Sequence, residues 1–110
     1  MNEQKLRGLI GLAFRARQAE SGMEACRILI RSGRCGIMLI DRDTGPNTRK
    51  KSAELCEISH IPLRILPAGM IENATGKNSM VICMKKGSFT EEILRIIPDD
   101  DSHSASGSDR

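Results

Sequence analysis

The sequence predicts an α/β domain in which helices cover both faces of a sheet. Three observations carry this. Amphipathic helical patterns alternate with short apolar runs along most of the 110 residues. The run Ile37-Met38-Leu39-Ile40 is apolar without interruption, as a strand buried on both faces must be. Glycine and proline stand at the joints between these patterns, at Gly33, Gly45-Pro46, Pro62, Pro67 and Gly76. Buried strands alternating with amphipathic helices give a three-layer α/β/α sandwich, and a chain of this length has room for one domain with one core.

Taken in order, Leu6, Leu9, Ile10 and Ala13 recur at helical spacing among Glu3, Lys5, Arg7, Arg15 and Arg17, which predicts a helix over residues 3–17. Ser21 is suited to cap a second helix over 23–32, with Ala25, Ile28, Leu29 and Ser32 on one face and Glu24, Arg27 and Arg31 on another. Gly33 suits the left-handed position that ends it. The strand at 37–40 should be central. Asp43-Thr44-Gly45-Pro46 is turn chemistry, with Pro46 fitted to a first helical turn. Ser52, Leu55, Cys56 and Ile58 mark the buried side of the helix that follows. A short strand over 63–66, one or two helical turns over 70–75, a strand over 80–84 and a closing helix over 91–97, started by Ser88 or Thr90, complete the domain. From Pro98 onward the chain is polar, small and charged, and a disordered acidic and serine-rich tail is expected over 98–110.

The formal charge of +3 understates the body. Arg110 and four of the acids, Asp99, Asp100, Asp101 and Asp109, lie beyond Ile97, which leaves 16 basic against 10 acidic side chains over residues 1–97. Such an excess permits attraction to phosphate. Cys26, Cys35, Cys56 and Cys83 form no CxxC pair, and with only His60 and His103 beside them no zinc site is expected. Cysteines in apolar runs act as small buried hydrophobes, which points to a reducing, cytoplasmic setting. No apolar run approaches a membrane span and no signal-peptide pattern opens the chain. Dinucleotide-binding, P-loop and nucleophile-elbow motifs are missing, so no catalytic residue and no cofactor is expected. Asp41 and Asp43, flanking Arg42 at the end of the central strand, are read as a strand stop and helix cap. Arg49-Lys50-Lys51 stands in the first turns of a helix, where cations oppose the macrodipole. Phosphate attraction and an ordinary solvated face account for it equally well. Arg27, Arg31 and Arg34 make a second basic strip, Arg15 and Arg17 a third.

The positions of Ser21-Gly22, Gly33, Asp43, Asn47-Thr48, Cys56-Glu57 and Ile61-Pro62 resemble the kink-turn RNA-binding ribosomal protein family, the L-seven-Ae superfamily, and within it the bacterial YlxQ-type branch. The resemblance covers residues 5–97. It implies a mixed, roughly four-stranded sheet and a non-catalytic protein, monomeric, that binds structured ribosomal or noncoding RNA. In the family, the turn before the second helix carries a glycine, then an Asn-Glu pair and, three residues beyond the Glu, a lysine; the resemblance implies that the Asn and Glu contact the paired G and A bases of a kink-turn while the lysine meets phosphate or a base edge. Here Gly22 matches, Glu24 takes the Asn place, Ala25 the Glu place and Ile28 the Lys place. Each lost base contact removes about 1–3 kcal/mol of discrimination. Arg27, one position before Ile28, is expected to take over the cationic role.

A second family element, a glycine-bounded loop that receives an unstacked nucleotide, is resembled by Ile71 to Lys77, with Glu72 in place of its first glycine. The resemblance thus implies an RNA-binding set of Arg17, Gly22, Met23, Glu24, Arg27, Arg42, Ile71, Asn73, Gly76 and Lys77, with the basic strips gathered near Gly22. The alternative is a protein-interaction module on the same fold that has lost kink-turn recognition. Ile28 beside Met23 would be its apolar patch, and burial of Ile28 would remove it.

Overall fold

A computed structural model describes residues 2–98. Its elements are α1 (Glu3–Arg15), β1 (Ala19–Ser21), α2 (Met23–Arg31), β2 (Cys35–Asp41), α3 (Pro46–Ser59), β3 (Leu63–Leu66), α4 (Met70–Thr75), β4 (Val81–Lys85) and α5 (Ser88–Ile96). The tail expected from 98 onward lies, apart from Pro98, outside the described residues.

The four strands form one mixed sheet in the order β1-β4-β2-β3. β4 runs antiparallel to both β1 and β2, and β3 runs parallel to β2. The apolar run at 37–40 is central as predicted, and all four side chains have no exposed surface. Alternation along the strands then divides the core in two. Ile37, Leu39, Ile82 and Met84 point to one face, where Leu6, Ile10 and Ala13 of α1, Met70 and Ile71 of α4 and Ile93 of α5 cover them. Met38, Ile40, Val81 and Cys83 point to the other, under Cys26, Leu29 and Ile30 of α2 and Cys56 of α3. Each fully buried Leu, Ile or Met contributes about 1.5–3 kcal/mol by leaving water.

Local chemistry accounts for most of the boundaries. Asn2 caps α1 by accepting the Lys5 N–H at 3.0 Å. Gly33 (φ +76°) ends α2, and Pro46 opens α3 behind Gly45. Gly11 is where α1 lies against α4: a Cβ there would stand 3.0 Å from the Ala74 carbonyl oxygen.

Four expectations are corrected. Ser21 does not cap α2; it belongs to β1, paired with Ile82, and Gly22 takes the cap position. The buried stripe of α2 is Cys26, Leu29 and Ile30, while Ile28 is 56% exposed, because a helix this short turns to whichever face its neighbours cover. Ile58 is 77% exposed near the end of α3, beyond the reach of the sheet. α5 begins at Ser88 behind Gly87, and Thr90 is buried inside it, its hydroxyl donating to the Lys85 carbonyl at 2.7 Å.

Candidate nucleic-acid interface

The sheet has two ends with different chemistry. At the first, β1, β2 and β3 finish and β4 begins, so α2, α3 and α4 all start there. Hydrogen bonds tie its loops together. The Gly22 N–H donates to Val81 O at 3.0 Å, the Asp41 N–H to Met80 O at 2.9 Å and the Arg42 N–H to Leu66 O at 2.9 Å. Asp41 and Asp43, expected to stop the strand and cap the next helix, leave the cap of α3 to Gly45, and Asp41 is nearly buried and clamps two loops: one carboxylate oxygen accepts the Asp43 N–H at 2.7 Å and the other the Gly69 N–H at 2.8 Å. Its carbonyl oxygen in turn accepts the buried Thr44 hydroxyl. Arg49 reaches back from α3 and donates to the Arg42 carbonyl at 2.7 Å, which gives one member of the basic cluster a local task and leaves Lys50 and Lys51 exposed.

Gly22 has φ +97° and ψ 149°, a conformation open to glycine almost alone, and it turns the chain from β1 straight into α2. No side chain caps α2, and its first helical bond is Cys26 N–H to Gly22 O. The N–H groups of Met23, Glu24 and Ala25 therefore have no acceptor within the helix. Such a terminus favours negative charge and hydrogen-bond acceptors. Glu24 projects into solvent and pairs with Arg27 at 3.7 Å, one turn on. Met23 is half-buried against the core under α2.

Of the sequence-predicted residues, the first end gathers Gly22, Met23, Glu24 and Arg42 directly. Gly76 (φ +77°) and Lys77 lie in the loop that leads from α4 to β4, and Asn73 is exposed on α4 itself. The Lys77 N–H donates to the Thr75 hydroxyl and its carbonyl accepts the Ser79 N–H, which shapes that loop. Ile71 is a correction: its side chain is fully buried in the core and holds α4 in place without reaching a ligand. Arg17 is another. The adjacent Gln18 carbonyl accepts the Lys85 N–H at 2.9 Å, which puts Arg17 at the other end of β1 from Gly22. Arg34 is also at that far end, its carbonyl accepting the Lys86 N–H at 2.9 Å, so the basic strips do not converge on Gly22. Met80, not anticipated, is exposed beside Gly22 and Asp41 at the start of β4. Its place just before an apolar strand was the only signal for it.

The four cysteines are buried free thiols on the α2 and α3 side of the sheet. Hydrogen bonding to Cys83 and burial push the Cys35 thiol up, and loss of solvent pushes Cys56 up to about 12, so neither is a poised nucleophile. His60 is an exposed left-handed residue (φ 58°) that ends α3. Among the described residues no cluster of His, Cys, Asp or Glu could hold a metal ion, and no helix is long and apolar enough to cross a membrane.

No family model matches the chain. The RNA-binding protein YlxQ of Bacillus subtilis (strain 168) is 26% identical over 91 residues, 81% of this chain and 91% of that protein. A Bacillus halodurans protein of unknown function superposes with a TM-score of 0.79 at 30% identity, over 86% of this chain and 98% of that one. The Giardia lamblia 15.5kD RNA binding protein superposes with a TM-score of 0.69 at 14% identity, over 86% and 82%, and supports the fold alone. The element order and the mixed sheet, with the likeness to YlxQ over most of both chains, make this chain similar to the YlxQ-type branch of the L-seven-Ae superfamily.

Proposed function

We propose that this is a non-catalytic RNA-binding protein that takes structured RNA against the end of the sheet where α2 begins. One observation carries the reading. Gly22 turns β1 into an uncapped α2 at the end of the sheet to which the Gly76-Lys77 loop leads, so backbone donors, Arg27 and Lys77 belong to one end of the molecule. The likeness to a named RNA-binding protein supports it. Recognition is kink-turn-like with a changed signature. Glu24 accepts hydrogen bonds from guanine where an amide would also donate, Ala25 contacts neither base, and Arg27 supplies the phosphate contact that Ile28 cannot. Gly22, Met23, Glu24, Arg27 and Arg42 form one side of the site, and Asn73, Gly76 and Lys77 the other. Affinity is mostly electrostatic.

The test is binding to a kink-turn RNA and to a plain duplex of equal length, at low and at near-physiological salt. The reading expects a preference for the kink-turn that survives the higher salt, with log affinity falling by about 0.7–0.9 per phosphate contact for each decade of salt. Arg27→Ala should lower both affinity and slope; unchanged values would remove Arg27 from the site.

A second reading, a protein-interaction module on this fold, is favoured by Ile28 alone. Its 56% exposure leaves one apolar side chain on the solvent side of α2. Ile28→Lys would weaken capture of a protein partner on that reading and leave RNA affinity equal or higher on the first.

A further inference from the structure

The far end of the sheet collects cations that the Gly22 edge does not use. Lys85 lies opposite Cys35 in the β2–β4 pairing, and its N–H meets the Gln18 carbonyl. The Lys86 N–H meets the Arg34 carbonyl. Arg17, Lys85, Lys86 and Arg34 thus sit on three adjacent strand ends, about 4.8 Å apart from strand to strand, with Arg31 one turn before Arg34. Arg17, Arg31, Arg34 and Lys86 are exposed and Lys85 is half-buried.

Among the described residues none of the five forms an ion pair; the three pairs are Lys5–Glu92, Arg27–Glu24 and Arg95–Glu92. The Arg34 Nε donates only to the Ser32 hydroxyl, at 3.1 Å. The helix macrodipole accounts for Arg31 in the last turn of α2. It does not account for Lys85 and Lys86, which end a strand. Beside them opens a cleft of about 300 Å³ lined by Lys86, Gly87, Thr90 and His60 among others, with Glu91 as its acid. Gly87 caps α5 there without a side-chain hydrogen bond. Both phenylalanines, Phe14 and Phe89, pack against the core, so the surface has no free aromatic anchor of the kind protein interfaces favour. Bare cations at strand spacing suit a run of phosphates.

We propose that this end is a second RNA-contacting surface that holds the phosphate backbone of a helical stem, separate from the Gly22 edge. The choice of RNA as the polyanion rests on the function proposed above. β4 separates the two ends by only about 13 Å of strand, so one folded RNA can touch both.

Three RNAs test this: a kink-turn with minimal stems, the same kink-turn with one stem lengthened by two helical turns, and a plain duplex of the extended length. Each is titrated over a salt series with the wild-type protein and with Arg34→Gln/Lys86→Gln, both exposed positions. The slope of log affinity against log salt on the two long RNAs should fall by about 1.4–1.8 for two lost contacts, while the minimal kink-turn binds as before. Unchanged slopes on both long RNAs, or an equal loss on the minimal RNA, would overturn the proposal. Arg17→Asn/Lys85→Gln reads the same surface from other strands should the first pair lower the urea midpoint. If the wild-type protein shows no kink-turn preference but the double variant still flattens the plain-duplex slope, the Gly22 reading fails and this surface stands.

Discussion

Replacing Gly22 and Gly8 by alanine makes the same chemical change with opposite expected signs. Neither new Cβ would meet an atom within 4 Å, so packing is removed from the comparison. Gly8 is exposed in the interior of α1, where alanine is favoured over glycine by about 0.8–1.0 kcal/mol. Gly22 holds φ +97° and ψ 149°, where a side chain costs about 1–3 kcal/mol. The smaller freedom of alanine in the unfolded chain returns about 0.4–1 kcal/mol, which leaves a net loss of about 1–2 kcal/mol. The two variants should therefore differ by about 2–3 kcal/mol in urea unfolding at constant m. Since 1 kcal/mol moves the midpoint of a domain this size by about 4–8 °C, their Tm values should separate by about 8–24 °C. RNA affinity measured where both are folded should fall only for Gly22→Ala, because α2 would start at a different angle. A neutral or stabilising Gly22→Ala would refute the assignment of that backbone turn and of the site built on it.

Three further outcomes are expected. Asp41→Asn removes a charged acceptor from two partly buried N–H bonds and should cost about 1–3 kcal/mol in urea unfolding; a loss below 0.5 kcal/mol, on the order of an ordinary surface change, would deny the clamp between the β2 and β3 loops. The four thiols should resist a maleimide at neutral pH in the native protein and all react in denaturant, since each is buried; one fast native thiol would contradict the packing under α2 and α3. Hydrogen bonding and charge attraction from Lys5 hold the half-buried Glu92 carboxyl below its ordinary value of 4.5. A lowered folded-state value means the pair helps stability above pH 4.5 and loses that help as pH falls through the folded value. The urea-midpoint gap between wild type and Glu92→Gln should thus be small at pH 7 and vanish in more acidic solution; a gap that widened there would reverse the sign.

Much of the fold was legible along the chain because the signals were local. A continuous apolar run marked β2, Gly33 and Pro46 marked helix ends, and period-3.6 patterning marked α1. β1 was not legible: Ala19-Glu20-Ser21 has no periodicity, and only its bonds to β4 make it a strand. The rotation of α2 was misjudged because apolar residues stand on several sides of nine positions, and the sheet beneath chose Cys26, Leu29 and Ile30. Gly22, Glu24 and Lys77 were singled out by the family resemblance, whereas the parts played by Asp41 and Met80 depend on residues 28 and 39 positions distant.

The charge of this protein shows the division most clearly. Sequence alone determined how many cations the body carries and which of them break local helix preferences. Which end of the sheet each one occupies was decided by strand register, since hydrogen bonds between Lys85 and Gln18, and between Lys86 and Arg34, join segments far apart in the chain. Periodicity records the face on which a side chain lies; only pairing between strands records which end it reaches.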